Sequence, residues 1–291
     1  MDAFTSDRAS LRAQVDFDRR QMLTVSLAAG FAAAVRPVVA ATAITTDSKG
    51  LIAGEVRIPV SDGEIPAYRA MPDKGEPFPV ILVVQEIFGV HEYIRDVCRR
   101  LAKEGYMAIA AELYARQGSV ADMTDVQEII SKVVAKVPDA QVMSDLDAVV
   151  AYAKASGHGD KERLGITGFC WGGRITWLYA AHNPTVRAAV AWYGKLVGEQ
   201  NALTPRHPVD VANDLKAPVL GLYGEADQGI PLSTVEQMRA ACTAADKSCA
   251  IVVYPGAPHA FHADYRPSYR PDVAKAGWGR MLDWFRAHGV T

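Results

Sequence analysis

One cysteine stands where a hydrolytic nucleophile would stand. Gly168-Phe169-Cys170-Trp171-Gly172 follows the apolar run Leu164-Gly165-Ile166-Thr167 and precedes a helix-like segment from Gly173 to His182. This is the strand–turn–helix pattern G-x-S-x-G with cysteine in place of serine. The flanking glycines let the backbone turn sharply without colliding with its neighbours. Such a turn holds the sulfur at a helix N-terminus, where partial positive charge favours thiolate.

A thiol nucleophile needs a base and a group that orients the base. Gly224-Glu225-Ala226-Asp227 follows a predicted strand at Pro218–Tyr223, and Pro255-Gly256-Ala257-Pro258-His259 follows another at Ala250–Tyr254. The chain order is nucleophile, acid, histidine, and both candidates fall just past the carboxyl ends of strands. His259 is therefore the expected base and Asp227 the group that holds its tautomer. Glu225 is the rival acid and His262 the rival base. Gln85-Glu86-Ile87-Phe88-Gly89 follows the apolar run Val80–Val84, so the backbone N–H groups of Ile87 and Trp171 are the expected oxyanion donors.

The elements that carry these residues alternate. Short strands are predicted at Glu55–Val60 and Ile65–Ala70, around the turn Ser61-Asp62-Gly63. Val80-Ile81-Leu82-Val83-Val84 reads as a strand buried on both faces. A helix is expected from Glu92 to Glu104, a strand at Tyr106–Ala111, and mostly helix from Asp122 to Ser156 with a break at Pro138. After the Cys170 turn come a strand at Val186–Tyr193, a helix within Ile230–Ala245 and a closing helix at Trp278–His288. Strands separated by helices require a mostly parallel α/β sheet covered on both faces. No linker or repeat divides residues 44–291, which are expected to form one catalytic domain.

Residues 1–43 are expected to be an export signal. Arg19-Arg20 precede the apolar run Leu23–Val35, which is short for a membrane span, and Ala41-Thr42-Ala43 offers a small-residue cleavage site. Paired arginines and a long polar lead resemble a twin-arginine signal. The mature protein is then periplasmic or secreted and keeps no membrane anchor. A net charge of −2 gives no basic footprint for nucleic acid. Four cysteines are too few for a disulfide scaffold. Cys98 reads as a core thiol, while the spacing of Cys242 and Cys249 permits a local disulfide without requiring one.

Taken together, Gln85-Glu86-Ile87-Phe88-Gly89, Leu113-Tyr114-Ala115-Arg116-Gln117, Gly168-Phe169-Cys170-Trp171-Gly172-Gly173, Gly224-x-x-Asp227 and the His259 loop resemble the dienelactone hydrolase (carboxymethylenebutenolidase) family. The resemblance implies an α/β-hydrolase fold, no metal or cofactor, and a small lactone or ester substrate. It also implies a Cys170–His259–Asp227 triad working through an acyl-enzyme. Glu86 takes from it a gating role, in which the glutamate contacts the resting cysteine and helps to generate thiolate when substrate enters. The chain departs from the family at the two arginines that bind the substrate carboxylate. No arginine lies between Gln117 and Glu162, and Ala263 stands four residues after His259. Arg116 and Arg266 are the candidate replacements, with Lys132 and Lys136 as weaker ones; Phe88 and Tyr193 are further candidates for the pocket. A general carboxylesterase for uncharged esters is the alternative function, and a non-catalytic or redox-active thiol protein a more distant one. A monomer is expected.

Overall fold

The computed structural model describes residues 43–291. The region read as an export signal lies, but for Ala43, outside the described residues. A hairpin of two ten-residue strands opens the fold: β1 (Leu51–Val60) and β2 (Gly63–Pro72) pair antiparallel from Leu51↔Pro72 to Val60↔Gly63. Both strands run longer than the sequence predicts, because the register holds down to the hairpin's open end. β3 (Phe78–Val84) follows, with every residue buried. Next come α1 (Glu92–Lys103), β4 (Met107–Ala111), α2 (Val126–Lys132) and α3 (Asp139–Ala155). A short 3-10 turn at Val134–Lys136 separates α2 from α3, so the break at Pro138 is wider than expected. α3 buries Val142, Leu146, Val149 and Ala153 at helical spacing.

β5 (Gly159–Phe169) runs directly into α4 (Trp171–His182) through Cys170. β6 (Val186–Trp192), β7 (Val219–Gly224), α5 (Leu232–Ala244), β8 (Cys249–Tyr254) and α6 (Pro271–Ala287) complete the chain. α6 starts seven residues earlier than predicted. Pro271 occupies its first turn, where proline's missing N–H costs nothing.

The eight strands lie in the order β1-β2-β4-β3-β5-β6-β7-β8. Only the β1–β2 and β2–β4 pairs are antiparallel. From β3 the chain steps to one side for β4 and to the other for β5, so the order reverses between β3 and β5. Open α/β sheets bind ligands at the carboxyl ends of strands beside such a switch. The loops that leave β3 and β5 there carry Glu86 and Cys170. Cys242 and Cys249 form a disulfide with Cα atoms 6.1 Å apart, fastening the end of α5 to the start of β8. Cys98 is a buried free thiol, as expected.

Candidate active site

Three contacts between backbones bring the site together. A Cβ on Gly168 would lie 2.3 Å from the carbonyl oxygen of Gly172, so β5 and α4 touch across the turn. A Cβ on Gly172 would lie 2.4 Å from the Val84 oxygen and 2.6 Å from that of Gln85, which seats the start of α4 against the end of β3. A Cβ on Gly224 would lie 2.2 Å from the Ala257 oxygen, pressing the Asp227 loop onto the His259 loop. Side chains at these positions would push Cys170, Asp227 and His259 apart.

Cys170 caps α4 at φ 55°, in the region that side chains rarely enter. Its N–H donates to the Trp192 oxygen at 3.0 Å, and its own oxygen accepts from Gly173 at 3.0 Å. Trp171 is the first residue of α4, where an N–H has no acceptor within the helix. Ile87 is fully buried in the loop that Gly172 meets.

Asp227 and His259 are both buried, and His259 Nδ1 lies 2.6 Å from Asp227 Oδ2. Asp227 Oδ1 accepts from the N–H groups of Gly229 (2.9 Å) and Ile230 (3.1 Å), which fixes the carboxylate. Burial alone would lower the pKa of His259. The negative charges of Asp227 and Cys170 outweigh burial and raise it well above the ordinary histidine value. Tyr193 packs edge-on against the His259 ring, with centroids 5.1 Å apart.

The rivals are engaged elsewhere. Glu225 accepts from the Gly256 N–H at 2.8 Å and lies exposed. His262 is stacked against Phe169 and Trp278, and its Nδ1 lies 2.6 Å from the Tyr93 hydroxyl. Burial, with Arg100 nearby, lowers its pKa to about 3, so it is a neutral core residue.

Glu86 is completely buried. Tyr265 donates its hydroxyl to Oε2 at 2.7 Å, His91 Nε2 lies 3.6 Å from the same oxygen, and Arg266 Nη2 lies 4.0 Å from Oε1. Burial raises the pKa of this carboxyl, but Arg266, His91 and Tyr265 together bring it down to about 2. Arg266 is sandwiched at this site, with its guanidinium carbon 4.9 Å from the Phe88 ring centroid. Phe88 and Arg266 therefore belong to the Glu86 cluster. Gly89, at φ 75°, turns the chain beyond it, and the Val90 N–H donates to Glu112 Oε2 at 3.0 Å.

Arg116 is not brought to this group. Its guanidinium binds Asp62, on the β1–β2 turn, and Asp145, on α3, each through two nitrogen–oxygen contacts of 2.6 to 3.0 Å. Two carboxylates from different elements hold it more firmly than an open pocket could. Lys132 bonds Glu128 on the exposed face of α2, and Lys136 is exposed. His91 and Tyr265, which complete the Glu86 cluster, were not assigned that role from the sequence. His91 lies five residues after Glu86 in the same loop, and Tyr265 directly precedes Arg266.

A half-enclosed cavity of about 670 Å³ opens beside the Cys170 turn. Trp171 from α4, Gly229 and Ile230 from the Asp227 loop, and Ile130, Val134 and Leu196 line it. Among the described residues no group of three or more His, Cys, Asp or Glu could hold a metal ion, and no helix is long and apolar enough to cross a membrane.

Comparison with known proteins identifies the family. The chain matches the model of the "Dienelactone hydrolase family" over residues 65–289. It is 68% identical over 291 residues, the whole of both chains, to a Methylorubrum extorquens protein named "Putative carboxymethylenebutenolidase". A Bradyrhizobium protein named "Probable 2-oxo-3-(5-oxofuran-2-ylidene)propanoate lactonase" is 32% identical, over 76% of this chain and 89% of its own length. The crystal structure titled as a "Putative Dienelactone Hydrolase" from Klebsiella pneumoniae is 61% identical, covers 81% of this chain and 98% of its own, and superposes with a TM-score of 0.80. With an α/β-hydrolase sheet and relatives of this kind, the chain belongs to the dienelactone hydrolase family of carboxylic ester hydrolases.

Proposed function

We propose that this chain hydrolyses lactones or small carboxylic esters through a Cys170–His259–Asp227 triad and a thioester acyl-enzyme. The observation that carries this reading is the buried 2.6 Å His259–Asp227 contact beside a cysteine held at φ 55° on a helix N-terminus. The raised His259 pKa favours an imidazolium facing a thiolate. The thiolate attacks the carbonyl carbon and forms a C–S bond, and the carbonyl electrons move onto oxygen. The N–H groups of Ile87 and Trp171 receive that oxyanion. Collapse breaks the C–O bond, and His259 hands its proton to the departing oxygen; in a lactone this opens the ring. Neutral His259 then takes a proton from water. The resulting hydroxide attacks the thioester and releases acid and thiolate. Asp227 holds the tautomer throughout.

Glu86 keeps the gating role implied by the resemblance. Tyr265, His91 and Arg266 are the partners that hold its negative charge. Two further features support an exported protein: the Arg19-Arg20 signal and the Cys242–Cys249 disulfide, a bond of oxidising compartments. Cell fractionation of the full chain beside an Arg19→Lys/Arg20→Lys variant tests this. The variant should accumulate uncleaved in the cytoplasm, and normal export of it would remove the twin-arginine reading.

The catalytic reading is tested by kcat/KM on dienelactone and on a neutral aryl acetate, for the parent and Cys170→Ala. Loss of turnover on both substrates in the variant supports it. An alanine variant that still turns over at the parent rate overturns it. If the parent prefers the aryl acetate, the mechanism stands but the substrate is an uncharged ester.

A further inference from the structure

Residues 44–49 lie against α1 and are tied to it along its length. The Thr46 N–H donates to Asp96 Oδ1 at 2.6 Å, and the Thr46 carbonyl oxygen accepts from Arg99 Nε at 2.8 Å. Lys103 Nζ donates to Asp47 Oδ1 at 2.7 Å and to the Lys49 oxygen at 2.6 Å. Just ahead of these contacts, the Ile44 N–H donates to the carboxylate of Asp264.

Asp264 leads to the candidate active site. It stands five residues after His259 and directly before Tyr265 and Arg266, which hold Glu86. Ala260, next to His259, has φ 57°, a conformation that a side chain keeps where its surroundings fix it. Arg100, on α1, bonds both Asp264 and Asp96, so residues 44–49 and the His259 loop share one buried charge cluster. Arg99 pairs with Asp96 and Glu92 in the same cluster, and Tyr93 and Tyr269 face Asp264. Burial raises the Asp264 pKa, and Arg100 and the Ile44 N–H bring it only part of the way back. A further positive charge at this carboxylate is therefore favourable.

Such a charge is one bond away. Ile44 follows Ala41-Thr42-Ala43, the small-residue cleavage site, and is 45% exposed although its N–H faces Asp264. We propose that Asp264 is the receptor for a processed N-terminus: cleavage after Ala43 gives Ile44 an ammonium that pairs with Asp264 and steadies Tyr265 and Arg266 on Glu86. This rests on the export reading above. A signal-type peptidase hydrolyses the Ala43–Ile44 amide. The C–N bond breaks, the water oxygen ends on the Ala43 carboxylate, and both of its protons end on the Ile44 nitrogen. Removal of the leader and ordering of the His259 loop become one event, so full activity follows export.

The test uses the full chain with a factor Xa site inserted directly before Ile44, assayed uncut and cut on p-nitrophenyl butyrate. Cutting should raise kcat/KM about five- to thirtyfold near neutral pH. An α-ammonium loses its proton from about pH 8 upward, and pairing with a carboxylate moves that point higher. The gain should therefore be full below about pH 8 and fade by about pH 10, an alkaline limb that the uncut chain lacks. The same site placed before Ala43 should give little of the gain, and Asp264→Asn should give none. Equal gains in the two registers, no gain, or a gain that persists at about pH 10 would overturn the proposal. Thermal unfolding reads the pairing without turnover. Cutting before Ile44 should raise Tm by about 2–4 °C near neutral pH but not at about pH 10. Equal Tm values overturn the receptor even if no ester is hydrolysed. Mass spectrometry of the exported protein should find Ile44 first, and another first residue overturns the proposal. An uncleaved cytoplasmic chain is instead the failure of the export reading, and the proposal falls with it.

Discussion

Glu86 and Arg266 face each other 4.0 Å apart with both side chains fully buried. Each neutralises a charge that the protein interior would otherwise expel. The Glu86 carboxyl is held at about 2, against an ordinary 4.5. A depressed carboxyl pKa contributes stability above the ordinary value and loses it as pH falls through the folded one. The contribution is on the order of 3 kcal/mol. Glu86→Gln should lose it at neutral pH, and its stability should change less than the parent's between pH 4.5 and 2. Urea unfolding at several pH values checks this; parallel curves for the two proteins would refute it.

Asp227 and Glu225 stand two residues apart in one loop, and only Asp227 reaches His259. Asp227→Asn should reduce kcat by roughly 10²–10⁴-fold, because the amide no longer stabilises the imidazolium. Glu225→Gln should stay within about threefold. Steady-state kinetics of both variants decides between the two acids.

The glycines make opposite predictions according to their surroundings. Gly172→Ala drives a methyl to 2.4 Å from the Val84 oxygen and should cost ~3 kcal/mol or more, a fall in Tm of about 6–12 °C. Gly279→Ala, on the exposed side of α6 with nothing within 4 Å, should stabilise by about 0.5–1 kcal/mol through helix propensity. Thermal unfolding of the two variants reads both effects.

His262 has a pKa lowered to about 3, against an ordinary 6.5. Below the ordinary value the unfolded chain binds the proton that the folded chain refuses, so this residue withdraws stability as pH falls from 6.5 towards 3. Nitrogen NMR should find its ring neutral at pH 5. His262→Asn should leave the pH profile of kcat in place, whereas His259→Asn should abolish turnover.

Cys242 and Cys249 close a small loop remote in sequence from Cys170. Replacing both by serine should cost about 2–3 kcal/mol and leave kcat/KM within about twofold. Denaturant melts and the standard assay test the two halves independently.

The proposed triad was legible in the sequence because each of its three residues sits at a position set by a local pattern. A glycine-framed turn carries Cys170, and strand ends carry Asp227 and His259. The parallel sheet was legible for the same reason, through runs such as Val80–Val84. Partnerships formed between distant loops were not. Nothing near Arg116 in the chain announces Asp62 or Asp145, and nothing near Glu86 announces Tyr265. The first two turns of α6 were missed although Pro271 marks the start, because the apolar spacing becomes regular only further along. Cys242 and Cys249 were compatible with pairing from their spacing, but their bond depends on how α5 returns towards β8.

The Arg174–Asp139 pair has a bearing on substrate size. Arg174 rides on the helix that begins at Cys170, Asp139 starts α3, and the same guanidinium holds the Arg206 oxygen and His207. The part of the cavity wall that carries Arg174 and His207 is therefore tied to the helix that follows Cys170. Widening this wall means parting a buried ion pair as well as moving apolar side chains. A library aimed at larger esters should therefore begin by replacing that pair with two apolar residues of matching volume.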